Sequence, residues 1–102
     1  MQHSRIAILT FRAGAADEAI AKGQAGLLPI FHSQPGFVAY GAVKTSDDSA
    51  VTVSVWETRE QAQAAAETSA SWVQNNIAPL VDSVQNLVGD VSFFSSVAAI
   101  GG

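Results

Sequence analysis

The spacing of hydrophobic and polar positions changes character several times along this chain, and each change marks an element. Residues 6–11, Ile-Ala-Ile-Leu-Thr-Phe, are an unbroken β-prone run bounded by Arg12-Ala13-Gly14. A run that short, apolar on both faces, predicts a central strand. From residue 15 the period lengthens. Ile20, Leu27 and Phe31 recur at helical spacing, with Gln24 between them and Leu28 beside the stripe. Asp17 and Glu18 fall in the first turn, where carboxylates suit the positive end of the helix dipole. The pattern predicts a helix over residues 15–33. It contains Gly23, Gly26 and Pro29, all unfavourable in a helix interior. Pro29 cannot donate to the carbonyl of Ala25, so a kink is expected near Ala25 and Gly26. Such a kink either opens space between helix and sheet or bends the helix around the core.

Gln34-Pro35-Gly36 turns the chain into an alternating segment, residues 37–45. Strict alternation would put Phe37, Ala39, Gly41 and Val43 on one face and Val38, Tyr40, Ala42 and Lys44 on the other. After the acidic turn Ser46-Asp47-Asp48-Ser49 comes a second strand, residues 50–56. Its β-branched stripe, Val51, Val53 and Val55, is expected against the helices. Ala50, Thr52, Ser54 and Trp56 would then face the opposite way, towards another sheet. Thr58 with Gln61 three residues later has the form of a capping box. The Ala-rich run 62–70 that follows can approach the sheet closely or leave room for a ligand. Trp72, Val73, Ile77, Leu80 and Val81 make a heavier continuation, in which Pro79 separates a last turn from the body. Residues 82–86 read as a connection, residues 87–97 contain the last strand, and 98–102 carry no evident structural demand. The order is β-α-β-β-α-β, an α+β ferredoxin-like fold with two helices on one face of a four-stranded antiparallel sheet. Residues 1–102 form a single domain, and the uncovered sheet face calls for a partner.

Composition sharpens this picture in two places. With 48% hydrophobic and 14% charged residues in 102, the chain is too apolar for disorder and rich in apolar surface for its size. A homodimer is the simplest expectation. The net charge of −4 comes from nine carboxylates against Arg5, Arg12, Lys22, Lys44 and Arg59, which are scattered singly. No basic stripe exists to neutralise phosphates, so no nucleic-acid partner is expected. Zero cysteines exclude disulfides and thiolate catalysis. No segment approaches the roughly 20 apolar residues of a membrane span. Residues 1–5 lack the features of a signal peptide. No membrane association and a cytoplasmic location are expected.

The residues able to carry chemistry are few. Trp56 and Trp72 offer aromatic plates, each with one N–H donor, for an aromatic ligand, or serve as core. Trp72 adjoins three amides, Gln74, Asn75 and Asn76, which makes a binding wall or a helix–sheet contact with solvated amides behind it. His32, after the apolar stripe, is either a general base or a cation suited to the helix C-terminus. Tyr40 can donate to a substrate oxygen or finish a half-buried strand. His3 falls in the terminal segment, Arg12 closes a strand, and Asp47 and Asp48 are turn formers. Two histidines do not make a metal site, and no phosphate-binding glycine motif is present, so no metal and no cofactor are expected.

These segments in this order resemble the antibiotic-biosynthesis-monooxygenase-like family. Phe11-Arg12-Ala13-Gly14 closes the first strand. Pro35-Gly36-Phe37-Val38-Ala39-Tyr40 opens the hairpin, Trp56-Glu57 leads into the second helix, and Ser71-Trp72-Val73-Gln74-Asn75-Asn76 ends it. The resemblance covers nearly the whole chain. It implies a dimeric α/β barrel, a homodimer with a pocket in each subunit between sheet and helices. Members of the family oxidise phenolic or quinol-type aromatics with molecular oxygen and no metal or flavin; others degrade haem. The Ser-Pro-His-Phe-like segment of active members is replaced here by Thr68-Ser69-Ala70-Ser71. The Asn, Trp and His of haem-degrading relatives correspond to positions near Ala7, Ala65 and Asn75, which supply none of those groups. The resemblance therefore implies a cofactor-independent monooxygenase. Trp72, with Trp56, would bind the ring, His32 or Tyr40 would handle the proton, and Asn76 or Gln74 would hold the oxyanion. The alternative is a non-catalytic dimeric ligand-binding or scaffold protein of the same fold.

Overall fold

The run around Ile6 becomes β1 (His3–Phe11), which lies between two neighbours in the sheet as its apolar faces predict. The structure is a computed structural model that describes residues 2–95. After β1 come α1 (Ala16–Ser33), β2 (Phe37–Ser46), β3 (Ser49–Trp56), α2 (Arg59–Asn76), a short 3-10 turn (Ala78–Leu80) and β4 (Val81–Asp90). The four strands pair antiparallel in the order β2-β3-β1-β4. This is the ferredoxin-like α+β arrangement that the hydrophobic periods predict.

Local chemistry sets the element boundaries. Thr58 Oγ1 accepts from the Gln61 backbone N–H at 3.2 Å, and Gln61 Oε1 accepts from the Thr58 N–H at 3.0 Å, closing the capping box that starts α2. Gly36 turns at φ +78°, and a side chain there would also collide with the Gln61 carboxamide. The Asp47-Asp48 turn does more than join β2 to β3. Its carbonyls accept from the N–H groups of Ala16 at 3.0 Å and Phe11 at 2.7 Å, and Asp48 Oδ1 accepts from Gly14 N–H at 2.8 Å. The hairpin tip is thereby tied to the start of α1. Pro79 falls in the separate turn after α2, as its missing N–H requires.

Three expectations are corrected. On β3 it is Ala50, Thr52, Ser54 and Trp56 that face the helices, while Val51, Val53 and Val55 point to the opposite side, where Val51 and Val53 are half-buried and Val55 is buried. The pairing of Arg5 with Ser54 and of Leu9 with Ala50 fixes this, because both partners of each pair lie under the helices. The small inner residues fit under both helices, Ala50 beside Ala16 and Ala19 of α1, and Trp56 fits against Ala62 and Ala65 of α2. On β2 an irregularity between Phe37 and Ala39 breaks the alternation, so Phe37 and Tyr40 both turn inwards. Finally, β4 covers residues 81–90 rather than starting near 87. Of residues 82–86, expected as a connection, 83–86 pair with β1 from Thr10 back to Ala7, and Asp82 falls at an irregularity in the pairing. Their polar side chains hid a strand. The expected end of that strand at residues 96–97 lies outside the described residues.

The core has two centres beneath the helices. One gathers Ala7, Leu9, Phe11, Ala16, Ala19, Ala50 and Ile77. The other joins Leu27 and Phe31 of α1, Trp56, and Ala62 and Ala65 of α2. Trp72 packs against both. It therefore sits where the two helices and the sheet meet.

Candidate functional site

Alternation along β1 places Arg5 on the same inward face as Ala7, Leu9 and Phe11, and Arg5 is completely buried. Its guanidinium spans three strands and a helix. Nε donates to Ser54 Oγ at 3.2 Å and one terminal nitrogen to Thr52 Oγ1 at 3.1 Å, both on β3. The other terminal nitrogen donates to Ser69 Oγ on α2 at 3.0 Å and to Asn86 Oδ1 on β4 at 3.3 Å. The Arg5 Cζ lies 5.5 Å from the centre of the Phe31 ring. Tyr40 stands beside it, and each opposes the effect of burial on the other. Burial pulls Arg5 below the usual guanidinium value, with Tyr40 opposing that shift. Burial pushes the Tyr40 phenol above its ordinary value, with Arg5 drawing it partly back. A phenol held this way stays protonated near neutral pH and keeps an O–H able to donate.

Between sheet and helices is an interior cavity of about 40 Å³, lined by Leu27, Tyr40, Thr52, Ser69, Trp72 and Val84 among others. In this form it has room for water but not for an aromatic ring. Trp72 forms part of its wall and, on the outer side, borders two surface hollows of about 330 and 470 Å³ that Asn76 also lines. The indole lies directly on Gly26 of α1, where an added Cβ would come within 2.7 Å of the ring. A third hollow, about 370 Å³, is a groove between the C-terminal half of α2 and β4. Ser69, Gln74 and Asn86 line it, so both acceptors of one Arg5 nitrogen sit on its floor.

The residues singled out by sequence do not all meet. Tyr40 and Trp72 share the cavity. Asn76 is near Trp72, but its amide donates back to the Trp72 carbonyl at 2.8 Å. Gln74 belongs to the outer groove. Trp56 is fully buried and donates its indole N–H to Ser54 Oγ at 2.9 Å, within an aromatic cluster with Phe31 and Phe37. His32 is exposed and rests on Phe37 with ring centres 4.6 Å apart; it borders none of the hollows described here. Arg5 and its neutral partners Thr52, Ser54, Ser69 and Asn86 were not singled out by sequence. The available signal was an arginine in phase with the apolar inner positions of a strand. Among the described residues no three metal-ligating side chains converge.

No family profile matches the sequence, and no curated protein does either. Solved structures do match. A protein of unknown function from Nitrosomonas europaea superposes with a TM-score of 0.76 at 18% identity, covering 95% of each chain. SnoaB, a cofactor-independent oxygenase from Streptomyces nogalater, in a mutant form, gives 0.72 at 18% identity over 91% of this chain and 95% of its own. A putative antibiotic biosynthesis monooxygenase from Nitrosomonas europaea gives 0.68 at 18% identity over 89% and 91%. The chain therefore has the fold of the antibiotic-biosynthesis-monooxygenase-like proteins, as its resemblance to them implies.

Proposed function

We propose that this protein is a cofactor-independent monooxygenase for a small phenolic or quinol-type aromatic, working as a cytoplasmic homodimer. The observation that carries the reading is the interior cavity, whose lining includes both the aromatic Trp72 and the phenol of Tyr40. Likeness in fold to a cofactor-independent oxygenase supports it. In the proposed reaction the substrate loses a proton, from the O–H of the phenol or from the ring CH2 of its keto tautomer, to give one delocalised anion. Its ring carbon forms a bond to dioxygen with the electron pair, the peroxide anion takes a proton back from solvent, and the resulting hydroperoxide loses water to leave a carbonyl. The substrate supplies the electrons, and the protein binds, orients and shields it.

Trp72 stacks on the ring and Tyr40 donates to the substrate oxygen. Of the two proton-handling candidates, Tyr40 is the one that borders the cavity. Gln74 and Asn76 are left to line the approach. A ring enters only if Trp72 moves off Gly26 towards the surface hollow it already borders. The small volume is also what favours the second reading, a non-catalytic binding or scaffold protein.

Oxygen uptake by the purified protein with a panel of hydroquinones and polycyclic phenols tests this. Uptake well above autoxidation is expected, with a loss of about tenfold or more in Trp72→Ala, the scale of a lost positioning contact. No excess uptake on any member of the panel transfers the assignment to the binding reading.

A further inference from the structure

Arg5 is a permanent cation, since a guanidinium does not deprotonate in a protein, and among the described residues it is buried without a counter-charge. Everything that accepts from it is neutral: two serines, a threonine and an asparagine. All nine carboxylates of the chain are exposed. Asp90, on the same sheet face at the far end of β4, is taken up by His3 at 2.8 Å. Among the described residues no carboxylate pairs with Arg5. Burying an ion uncompensated costs several kcal/mol, and an apolar side chain at the same place generally costs less. The neighbouring inward positions of β1 are Ala7, Leu9 and Phe11, which serve the core without that cost.

We infer that Arg5 is the anion-binding residue of this site, and that it takes the ionised oxygen of a phenol or enol. This deepens the reading above and rests on it. The placement fits. Thr52 and Ser69 bond to the guanidinium and line the interior cavity with Tyr40; Ser69 and Asn86 bond to it and line the outer groove. Asn86 is exposed and makes the longest of the four bonds, so its amide is the one that yields its place to a ligand oxygen.

The groups facing Arg5 are Phe31 from α1, Tyr40 from β2, Thr52 and Ser54 from β3, Ser69 from α2 and Asn86 from β4. None is a base near neutral pH. The phenol therefore ionises to solvent. Its O–H bond breaks, the proton leaves to water, and the electron pair stays on an oxygen that Arg5 neutralises. Stabilising the anion in this way replaces general-base catalysis.

The test is binding of naphthol to the full chain, followed by the absorbance of the naphtholate across pH, with its methyl ether and naphthoate as controls. Bound naphthol is expected to ionise about one pH unit or more below free naphthol, the size of shift an adjacent opposite charge produces. The methyl ether is expected to bind at least about tenfold more weakly. Arg5→Gln should abolish the shift, and Arg5→Lys should restore part of it, each with an unchanged circular dichroism spectrum. If Arg5→Gln does not fold, the wild-type comparison of naphthol with its ether decides alone. An unshifted ionisation, equal binding of the ether, or binding of naphthoate alone would overturn the inference. Naphtholate binding without oxygen uptake supports it while removing the oxygenase reading.

Discussion

Gly26 and Trp72 show how one missing side chain positions a candidate functional one. The indole can lie across α1 only because residue 26 has no Cβ. In Gly26→Ala the new methyl would displace the ring. Overpacking costs about 1–3 kcal/mol, against which helix propensity returns about 1 kcal/mol. A net loss of about 1 kcal/mol in urea unfolding is expected, together with red-shifted Trp fluorescence; unchanged emission would place the indole elsewhere.

Tyr40 makes a second prediction at this scale. Burial raises its pKa from 10.0, so the folded protein holds the phenol proton more tightly than the unfolded chain. The stability this contributes is complete below pH 10.0 and is lost as pH rises through the folded value. Lys44, raised from 10.5 by hydrogen bonds to Asp17 and Asp47, adds a loss in the same direction. Urea midpoints should therefore fall above pH 10 in the wild type and fall less steeply in Tyr40→Phe.

Among the elements, α2 combines the clearest local signal with the weakest packing signal. Its capping box closes both ways, and Thr58→Ala should cost about 1 kcal/mol of stability, measured by thermal or urea unfolding. Its buried face is Ala62, Ala65 and Ser69, residues too small to announce a core. Their smallness lets the helix lie close to β3, and it lets the Ser69 hydroxyl reach Arg5. The strand β4 is the converse case. Its sequence is polar, yet its register with β1 is regular from His3 to Thr10.

For the whole molecule the decisive feature is the uncovered sheet face. Ile8, Val43 and Leu87 lie on it at 41%, 60% and 45% exposure, beside Ile6, Val51 and Val53. A contiguous apolar surface of this kind marks an interaction site. If a second copy covers it, Ile8→Asp should convert a dimer into a monomer in sedimentation experiments, while circular dichroism stays unchanged. A wild type that sediments as a monomer would remove the homodimer from the proposal. Among the described residues no helix is long and apolar enough to cross a membrane.

The sequence by itself determined the order of elements, the central position of β1, the hairpin turn and the cap of α2. These follow from the period of apolar residues and from short-range hydrogen bonding, which are properties of neighbours in the chain. The tertiary structure alone decided which face of β3 lies inside. Alternation shows that two faces differ, but not which is buried, and here the face of Ala50 and Trp56 is inside because small residues of both helices pack on it. The bulge at Val38 likewise moved Phe37 onto the side of Tyr40. Of the site, Trp72 and Tyr40 were legible because aromatic and phenolic groups stand out locally. Arg5 was not, because its partners come from residues 52, 54, 69 and 86. Only the packing of α2 on the folded sheet gathers them around one charge, and only folding removes the water that would have masked it.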